Sequence, residues 1–440
     1  MISPTKDNRH HSERSPARPT TIATSKRTLI ATDVPFWHAS TGAEQRIRSL
    51  VNCLVKQDLK LRVFYLATDN ATEIREEIRC CPELDSPNLS IEVHASSDPP
   101  KQLGARLAWH LDGTLNMLSP KKAKPPGASP TLQLADFNWP WAVEKFTETV
   151  SQFQPDSIII EYVKLAYLID DLGKQLKSVQ TIIDTHDMLH KRYQDFKERG
   201  ESHWIAIDAE EEAEVLRRFD TVIAIQPLEA EQMAEMAPTA KVIVCKHACF
   251  PRGTHPNVDR FQRSSPERTL AFGILASNNP ANRNAITNFI NDIWLPNYSS
   301  ATEIQLTIAG SVCAGLESSR PKTNSIVWAP ELNLTESFYR NIDVVVNPIE
   351  FGSGLKIKNV EALAYGKPLI TTSHGAHGFI DTPHASVFVA DSPEQWQAAI
   401  DRLSDPEEIA CAGKLARELS AEQFSDAAAY GPLLEQILES

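Results

Sequence analysis

The sequence predicts an α/β protein built from two Rossmann-like domains that face each other across a crevice. With 440 residues, the chain is too long for a single hydrophobic core. Short runs rich in Ile and Val alternate with helical patterns twice along the chain, as in sheets of buried parallel strands. Between the two halves, residues 249–268 show no apolar periodicity. We therefore expect an N-terminal domain over residues 28–248, an interdomain linker over 249–268, and a second domain over 269–424.

Composition excludes several classes of function. The formal net charge of −13 argues against general nucleic-acid binding. No apolar run approaches the length of a membrane span. The seven cysteines include no C-x-x-C pair, which indicates a reducing cytoplasm. Residues 1–27 carry six Lys/Arg against two Asp/Glu, so we expect a disordered tail there, with attraction to an anionic membrane surface as the alternative.

The N-terminal half begins with a strand, at residues 28–34, and an amphipathic helix. The predicted apolar face of that helix consists of Ile47, Leu50, Val51 and Leu54. Further apolar runs predict strands at residues 62–68, 157–163, 181–187, 221–226 and 241–247. Residues 119–130, rich in Pro and Lys, interrupt this half and are expected to form an exposed loop.

The C-terminal half repeats the pattern. Its predicted strands are residues 269–275, 304–310, 325–330, 344–348, 368–372 and 386–390. Asn333 with Glu336, and Ser392 with Gln395, have the spacing of helix N-terminal caps. Gly366, followed closely by a proline, is expected to end the helix that precedes it.

Candidate site residues lie where strands end, because ligands of open parallel sheets bind at the carboxyl ends of the strands. Gly42, after the first strand, permits close approach of the backbone, although an ordinary turn also explains it. A dense polar group lies at the end of the predicted strand at residues 181–187 and includes Asp184, His186 and Asp187. His186 is suited to orienting an acceptor hydroxyl or stabilising developing charge. The alternatives are a capping cluster, with Asp187 as the N-cap of the next helix, or a metal site, for which the spacing is unconvincing.

The second half offers polar strand ends too. After residues 269–275 comes a turn that contains Asn279, and Arg283 lies in the first turn of the following helix. Arg283 could reach a phosphate or simply be solvated. Glu331, after residues 325–330, could accept a hydrogen bond from a ligand.

The stretch "EFGSGLKIKNVEALAYGKP" predicts a diphosphate cradle. Gly352 and Gly354 free backbone N–H groups, and the Ser353 hydroxyl and the Lys356 ammonium lie close by in sequence. The helix is expected to begin near Leu355. Such a combination of a glycine loop, a cation and a helix N-terminus suits a doubly charged phosphate group.

Glu361 completes this predicted site. It lies about two helical turns beyond Gly354, on the face shared with Ile357 and Lys358. A carboxylate there can accept both hydroxyls of a ribose, as an acidic residue does in dinucleotide-binding folds. An exposed helix acid is the alternative, but the apolar residues that follow Glu361 argue against it.

These motifs resemble the GT-B glycosyltransferases of group 1, the GT4-like family. "GSGLKIKNVEALAYGKPLITT" resembles the nucleotide-sugar signature of that family, and "DTHD" resembles the stretch that carries its acceptor-side histidine. "NNPANRNAITNFINDIWLP" resembles the opening of its nucleotide-binding domain, and "STGAEQR" its N-terminal glycine loop. The resemblance covers roughly residues 28 to 440. It implies that residues 425–440 form a helix that packs back on the N-terminal domain.

The resemblance implies roles for individual residues. Glu361 would bind the ribose of the donor, Lys356 and the amides near Ser353 would hold the diphosphate, and His186 would face the transferred sugar or the acceptor. The predicted donor-binding set is Gly42, Asn279, Arg283, Glu331, Gly352, Ser353, Gly354, Leu355, Lys356 and Glu361. The predicted catalytic set is His186, Asp187 and Lys356.

The implied function is transfer of a sugar from a nucleoside-diphosphate sugar to a glycan or glycolipid, with retention of anomeric configuration. No metal and no cofactor beyond the donor are expected, and the chain contains no D-x-D pair. We expect a cytoplasmic enzyme of polysaccharide biosynthesis, with peripheral contact at the inner membrane face as an option. A non-catalytic relative that binds glycan or a partner transferase, and a sugar-nucleotide epimerase, are the competing hypotheses.

Two positions depart from the family pattern. Ser353 stands where the first of two glutamates in the signature is usual, and Ile274 stands where an arginine often follows the glycine of "AFG". These two departures suggest either a subgroup that relies on Lys356 instead or a chain in which donor handling is impaired.

Overall fold

The computed structural model describes residues 25–39, 41–67, 70–96, 131–249, 269–330, 335–352, 354–378 and 384–439. Most of the predicted tail and linker and the predicted loop at 119–130 lie outside these ranges. The described part contains two large parallel sheets, as predicted, and a small sheet of two short strands.

In its described residues, the N-terminal half contributes nine strands. In chain order these are β1 Arg27–Thr32, β2 Lys60–Ala67, β3 Leu89–Ala95, β4 Leu132–Gln133, β5 Ser157–Glu161, β6 Gln180–Asp184, β7 Ile205–Ala206, β8 Thr221–Ala224 and β9 Lys241–Val244. The large sheet has the order β3-β2-β1-β5-β6-β8-β9, and β4 pairs with β7. Its helices are Gly42–Val55, Ala71–Arg79, Pro140–Phe153, Leu189–Glu198, Ala209–Leu216 and Pro227–Met236, with 3₁₀ segments Pro82–Leu84, Leu134–Phe137 and Val163–Ser178.

Strand β5 shows why the apolar runs predict this sheet. All five of its residues are buried. Ile158 and Ile160 point into the hydrophobic core on one face of the sheet, whereas Ile159 points into the core on the other face. A strand covered by helices on both faces needs apolar side chains at every position, and this requirement gives the continuous run in the sequence.

All six strands predicted for this half are present, but the two short strands β4 and β7 and the longer β3 were not predicted. Strand β3 shows why. It lies at the edge of the sheet and pairs only with β2. Most of its residues are partly or fully exposed. An edge strand therefore tolerates the polar residues of "LSIEVHA", which break the apolar run that sequence analysis depends on.

The described part of the C-terminal half contributes six strands: β10 Leu270–Leu275, β11 Ile304–Ala309, β12 Ile326–Ala329, β13 Val344–Asn347, β14 Leu369–Thr371 and β15 Val387–Val389. All six were predicted, and they form one sheet in the order β12-β11-β10-β13-β14-β15. The helices are Pro280–Asn288 and Leu295–Tyr298, joined by the π turn Phe289–Trp294, then Val312–Gly315, Thr335–Asn341, Ile357–Ala364, Ser373–Ala376, Pro393–Arg402, Pro406–Gln423 and Asp426–Glu439, with the 3₁₀ turn Glu317–Ser319.

Two predicted helix boundaries in this half are confirmed. Ser392 and Gln395 form a reciprocal capping box at the start of Pro393–Arg402. Gly366 has a φ of 66°, and its N–H donates to the carbonyl of Leu363 at 2.8 Å. Gly366 therefore ends the preceding helix because a left-handed residue turns the chain away. The cap predicted at Asn333 lies outside the described residues.

The last helix, Asp426–Glu439, packs against the N-terminal sheet. Tyr430, Leu433 and Ile437 are fully buried in the core that also contains β1 and the first helix. The Tyr430 hydroxyl donates to the carbonyl of Arg46 at 3.2 Å. The end of the chain thus returns to the half of the molecule in which it began.

None of the helices in the described ranges combines the length and the apolar character that crossing a bilayer requires.

In each large sheet, the strand order changes direction at one position, the topological switch point. This position lies between β1 and β5 in the N-terminal sheet and between β10 and β13 in the C-terminal sheet. Parallel sheets bind ligands at the carboxyl ends of the strands at such points. The loops that follow β1, β5, β6 and β13 therefore mark the expected place of the site.

Candidate active site

The glycine loop after β13 has a backbone that favours glycine. Gly352 has a φ of 103° and Gly354 a φ of 78°, a region that other residues rarely adopt. The helix begins at Ile357 rather than near Leu355, because the left-handed turn at Gly354 delays the first helical residue. Ser353 lies outside the described residues.

Lys356 folds back over this loop. Its Nζ donates to the carbonyl of Gly352 at 2.7 Å and to that of Gly354 at 2.9 Å. Burial lowers the pKa of Lys356 to about 8, and the positive charge of Arg192 contributes further. A partly buried ammonium held at the loop is well placed to meet an anion, because it is partly withdrawn from water.

The amide of Gly354 is bonded to a carboxylate from the N-terminal half. Glu229 lies in the first turn of the helix Pro227–Met236, and its Oε1 accepts the Gly354 N–H at 3.1 Å. Gln226 donates to the same oxygen at 2.7 Å. The N–H that the sequence assigns to a phosphate is therefore occupied by a carboxylate in this structure.

Glu361 is buried on the helix that follows the glycine loop. Its Oε2 accepts from the hydroxyl of Tyr339 and from Nζ of Lys358, both at 2.8 Å. Burial, followed by the charge of Glu361, raises the pKa of Tyr339 well above its ordinary value, so the hydroxyl keeps its proton and donates. The predicted common face of Lys358 and Glu361 is confirmed by this ion pair, and the role of Glu361 as a ribose ligand stays a prediction.

His186 follows β6 in a strained backbone conformation with a φ of 64°. Its Nε2 lies 2.6 Å from Oε2 of Glu161, a carboxylate with no exposed surface. The imidazole also stacks on the ring of Tyr162, with centroids 4.0 Å apart. Burial raises the pKa of Glu161. Such strain at a polar strand end is typical of a functional position that its neighbours hold in place.

Asp184 forms the base of this cluster. Its two carboxylate oxygens accept from Nε and Nη2 of Arg46 at 3.0 and 2.9 Å, and both side chains are buried. Atoms of Glu161, Asp184 and His186 lie within 4.8 Å of one another, which is close enough to hold a metal ion. The bidentate guanidinium of Arg46 already supplies a positive charge to Asp184, so this cluster fits an ion-pair network better than a metal site.

The capping alternative for Asp187 is wrong. Met188 is the N-cap of the helix Leu189–Glu198, and Oδ2 of Asp187 instead accepts from Nη1 of Arg192 at 2.6 Å. The first helical amide is bonded to Glu212, whose other oxygen accepts the next amide along the helix. Because a glutamate from a neighbouring helix caps these amides, Asp187 is released to orient Arg192.

Contacts between the two halves surround the glycine loop. A Cβ at Gly42 would lie 2.9 Å from Cδ1 of Ile357, so the two halves approach closely at this glycine. A Cβ at Gly354 would lie 3.1 Å from Cβ of Asp187. Leu355 is buried in an apolar cluster with Ile225. The loop thus lies against the strand ends of the N-terminal sheet.

The other predicted donor ligands make local contacts. Asn279 caps the helix Pro280–Asn288 by accepting the N–H of Asn282 at 2.9 Å. Nη1 of Arg283 donates to Oδ1 of Asn278 at 2.8 Å. Glu331 lies outside the described residues. The position at which the family pattern places an arginine, Ile274, is buried in the C-terminal core.

The structure brings part of the predicted set to one interface. The predicted residues that meet across it are Gly42, Asp187, Gly354, Leu355 and Lys356. Glu161 and Glu229 were not predicted as site residues. A signal for Glu161 exists, because a charged residue ends an otherwise apolar strand. The position of Glu229 in the first turn of a helix was readable too, but its contact across the interface was not.

Two family comparisons cover most of the chain. Residues 41–246 match the glycosyl transferase 4-like domain, and residues 270–405 match the group 1 glycosyl transferases. The chain is a group 1, GT4-like glycosyltransferase. No curated protein matches it in sequence. The resemblance stated from its motifs is therefore confirmed, and so is the assignment as an enzyme.

Solved structures of low sequence identity share the fold of this transferase. A sucrose-phosphate synthase from Thermosynechococcus elongatus superposes with a TM-score of 0.67 at 16% identity, covering 94% of this chain and 99% of the other. Anabaena HepE in complex with UDP and glucose gives 0.61 at 12% identity, with 94% and 100% covered. A variant of S. aureus TarM in complex with fondaparinux, α-GlcNAc-glycerol and UDP gives 0.63 at 10% identity, with 94% and 100% covered. These matches agree with the predicted two-domain GT-B fold.

Proposed function

We propose that this glycosyltransferase moves a sugar from a nucleoside-diphosphate sugar to a glycan or glycolipid acceptor, with retention of configuration and without a metal ion. The observation that carries the proposal is the buried carboxylate of Glu361, held by Tyr339 and Lys358 next to the glycine loop. A carboxylate fixed by two donors and placed two turns from a phosphate-type loop suits the hydroxyls of a ribose. UDP is present in the complexes of HepE and TarM, which supports the nucleotide part of the proposal.

The diphosphate would be held at the glycine loop. Gly352 and Gly354 turn the backbone so that amides can point at an anion, and Lys356 supplies a positive charge. Departure of a nucleoside diphosphate needs stabilisation of the charge that develops on it, and a fixed cation with backbone amides provides this. No strong nucleophile is required of the protein at such a site.

The sugar and the acceptor would lie toward His186 and Asp187. Since Nε2 of His186 is committed to Glu161, Nδ1 is the ring nitrogen through which His186 would contact the substrate. Glu161 would act as a positioning residue that sets the orientation and the tautomer of the imidazole. The proposal of metal independence is supported by the bidentate ion pair of Arg46 with Asp184, because it already places a positive charge beside the cluster of Glu161, Asp184 and His186.

The donor test is a thermal-shift panel of UDP, GDP, ADP, CMP and dTDP, with and without magnesium. A ligand at 100 times its dissociation constant stabilises a protein by about 2.7 kcal/mol, which is readily measured. We expect one nucleoside diphosphate to raise the Tm equally with and without magnesium. A shift that requires magnesium would contradict metal independence, and no shift with any nucleotide would favour a non-catalytic relative.

Variants separate binding from transfer. Glu361→Ala should abolish most of the nucleotide-induced shift, and Glu361→Gln, which keeps the side-chain volume and an acceptor for Tyr339, should weaken it less. His186→Ala should leave the shift unchanged and lower the turnover of the matching nucleotide sugar. Glu422→Ala, at an exposed glutamate of the same half, is the matched control. An unchanged nucleotide affinity in Glu361→Ala would refute the proposed donor site.

A glycolipid acceptor would bring the enzyme to a membrane surface. We propose a cytoplasmic location with peripheral contact, supported by the six Lys/Arg against two Asp/Glu in residues 1–27. The full chain should sediment with vesicles that contain anionic lipid, less so in high salt, and a variant lacking residues 1–24 should not. Equal sedimentation of both proteins would contradict a role for this segment.

A further inference from the structure

Arg192 lies at the interface with the glycine loop although it belongs to the N-terminal half. It is in the first turn of the helix Leu189–Glu198, and its Nη1 donates to Oδ2 of Asp187 at 2.6 Å. Asp187 in turn lies against Gly354, since a Cβ at Gly354 would be 3.1 Å from that of Asp187. A single carboxylate therefore separates the guanidinium from the loop.

Two cations from different halves meet at this point. After burial, the charge of Arg192 is the largest influence that lowers the pKa of Lys356. The groups that face them include the carboxylates of Asp187 and Glu229. Two cations on opposite sides of a crevice repel each other, and an anion bound between them is attracted by both.

The Arg192 guanidinium has more N–H donors than its contact with Asp187 uses. Within the described residues, the hydrogen-bond partner of Arg192 is Asp187, which contacts Nη1 alone. A guanidinium has five N–H donors in a fixed fork that matches phosphate oxygens. The side chain is 34% exposed, whereas that of Asp187 is 5% exposed. Asp187 thus holds Nη1 of Arg192 and leaves the other N–H donors of the guanidinium accessible to a ligand.

We infer that Arg192 binds the diphosphate of the donor from the N-terminal side, opposite Lys356. The inference rests on the proposed function and adds a binding residue to that site. The anion lies between Arg192 and Lys356 and is bound by both, so its binding stabilises the contact between the two halves. Phosphate is recognised by both cations, whereas the nucleoside is recognised by Glu361, so the two parts of the donor can be tested separately.

The test is titration calorimetry with two probes, inorganic pyrophosphate and UDP, in buffer without magnesium. Arg192→Ala should weaken pyrophosphate binding by about 10- to 100-fold, as expected for the loss of hydrogen bonds to a charged group. Arg192→Lys, which keeps the charge but not the fork, should lose less. Lys191→Ala is the matched control, because Lys191 is the exposed neighbour of Arg192 on the same helix and bonds to Gln232.

The outcomes separate the inference from the proposed function. Glu361→Ala should leave pyrophosphate binding intact and weaken UDP, whereas Arg192→Ala should weaken both. Equal pyrophosphate affinities in the wild type and Arg192→Ala, at equal Tm, would overturn the role of Arg192 alone. If the wild type binds neither pyrophosphate nor any nucleoside diphosphate of the panel, the proposed donor site falls, and this inference falls with it.

Discussion

Glu229 is a carboxylate in a place that suits an anionic ligand. It accepts the N–H of Gly354, and its Oε2 is buried and has no hydrogen-bond partner among the described residues. Burial and then the charge of Asp187 raise the pKa of Glu229 to about 7. A diphosphate at the loop would compete with the ionised carboxylate for the Gly354 amide and for Lys356. Donor binding should therefore be linked to protonation of Glu229.

The affinity for a nucleotide sugar should fall as the pH rises. Because the pKa of Glu229 is raised to about 7, its neutral form persists up to that pH, and an anion then meets one negative charge fewer. Lys356, whose pKa is lowered to about 8, loses its attraction for the anion at a slightly higher pH. Both groups act in the same direction. Calorimetry with UDP-glucose from about pH 6 to about pH 9 would measure the slope.

Glu229→Gln is the control for this pH dependence. It keeps a neutral side chain of the same size at every pH, so it should remove the part of the slope near 7 and retain the part that belongs to Lys356. At high pH it should bind the nucleotide sugar more tightly than the wild type. An affinity that increases with pH in the wild type would contradict the competition between Glu229 and the diphosphate.

At the scale of elements, the glycine loop of the C-terminal half packs against the N-terminal half. Gly354 has a left-handed φ and leaves room for Asp187, so both its conformation and its lack of a side chain matter. Gly200 has a similar φ, 69°, but no atom lies within 4 Å of the place where its Cβ would be. Substitutions at Gly354 and Gly200 therefore separate the effect of backbone strain from the effect of contact between the halves.

Gly354→Ala and Gly200→Ala should each lower the free energy of unfolding by about 1–2 kcal/mol, the cost of a left-handed residue with a side chain. Only Gly354→Ala should also weaken pyrophosphate and UDP binding, because its methyl group would push Asp187 away from the loop. Urea denaturation and calorimetry on both variants would measure the two effects. Equal binding by both variants would mean that the close contact at Gly354 has no part in the site.

Most elements could be predicted because their pattern is local. The run "SIIIE" predicts β5, since a strand covered on both faces is mostly apolar, and the glycines of "GSG" predict a loop after β13. The contact of Glu229 with Gly354 joins residues 125 positions apart in different halves, so no local pattern reports it. The pairing of Asp187 with Arg192 was missed for a related reason. Glu212, on another helix, caps the amides that sequence analysis gave to Asp187.

At the scale of the whole molecule, the last helix links the end of the chain to the core under the site. Tyr430 donates to the carbonyl of Arg46, and the Arg46 guanidinium holds Asp184, two residues before His186. The position of the imidazole therefore depends on a helix that follows the C-terminal sheet in sequence. Loss of packing in this helix should therefore lower turnover as well as the free energy of unfolding.

Leu433→Ala tests this dependence. Leu433 is fully buried against the N-terminal core, and removing three carbons from such a position should lower the free energy of unfolding by about 2–5 kcal/mol. Leu438→Ala, at a half-exposed leucine of the same helix, should change it by less than about 0.5 kcal/mol. Urea denaturation followed by tryptophan fluorescence would compare the two. Because the helix supports Arg46 and Asp184 rather than the glycine loop, Leu433→Ala should reduce turnover more than it reduces pyrophosphate affinity. A larger loss of pyrophosphate affinity than of turnover would mean that the helix supports the loop instead.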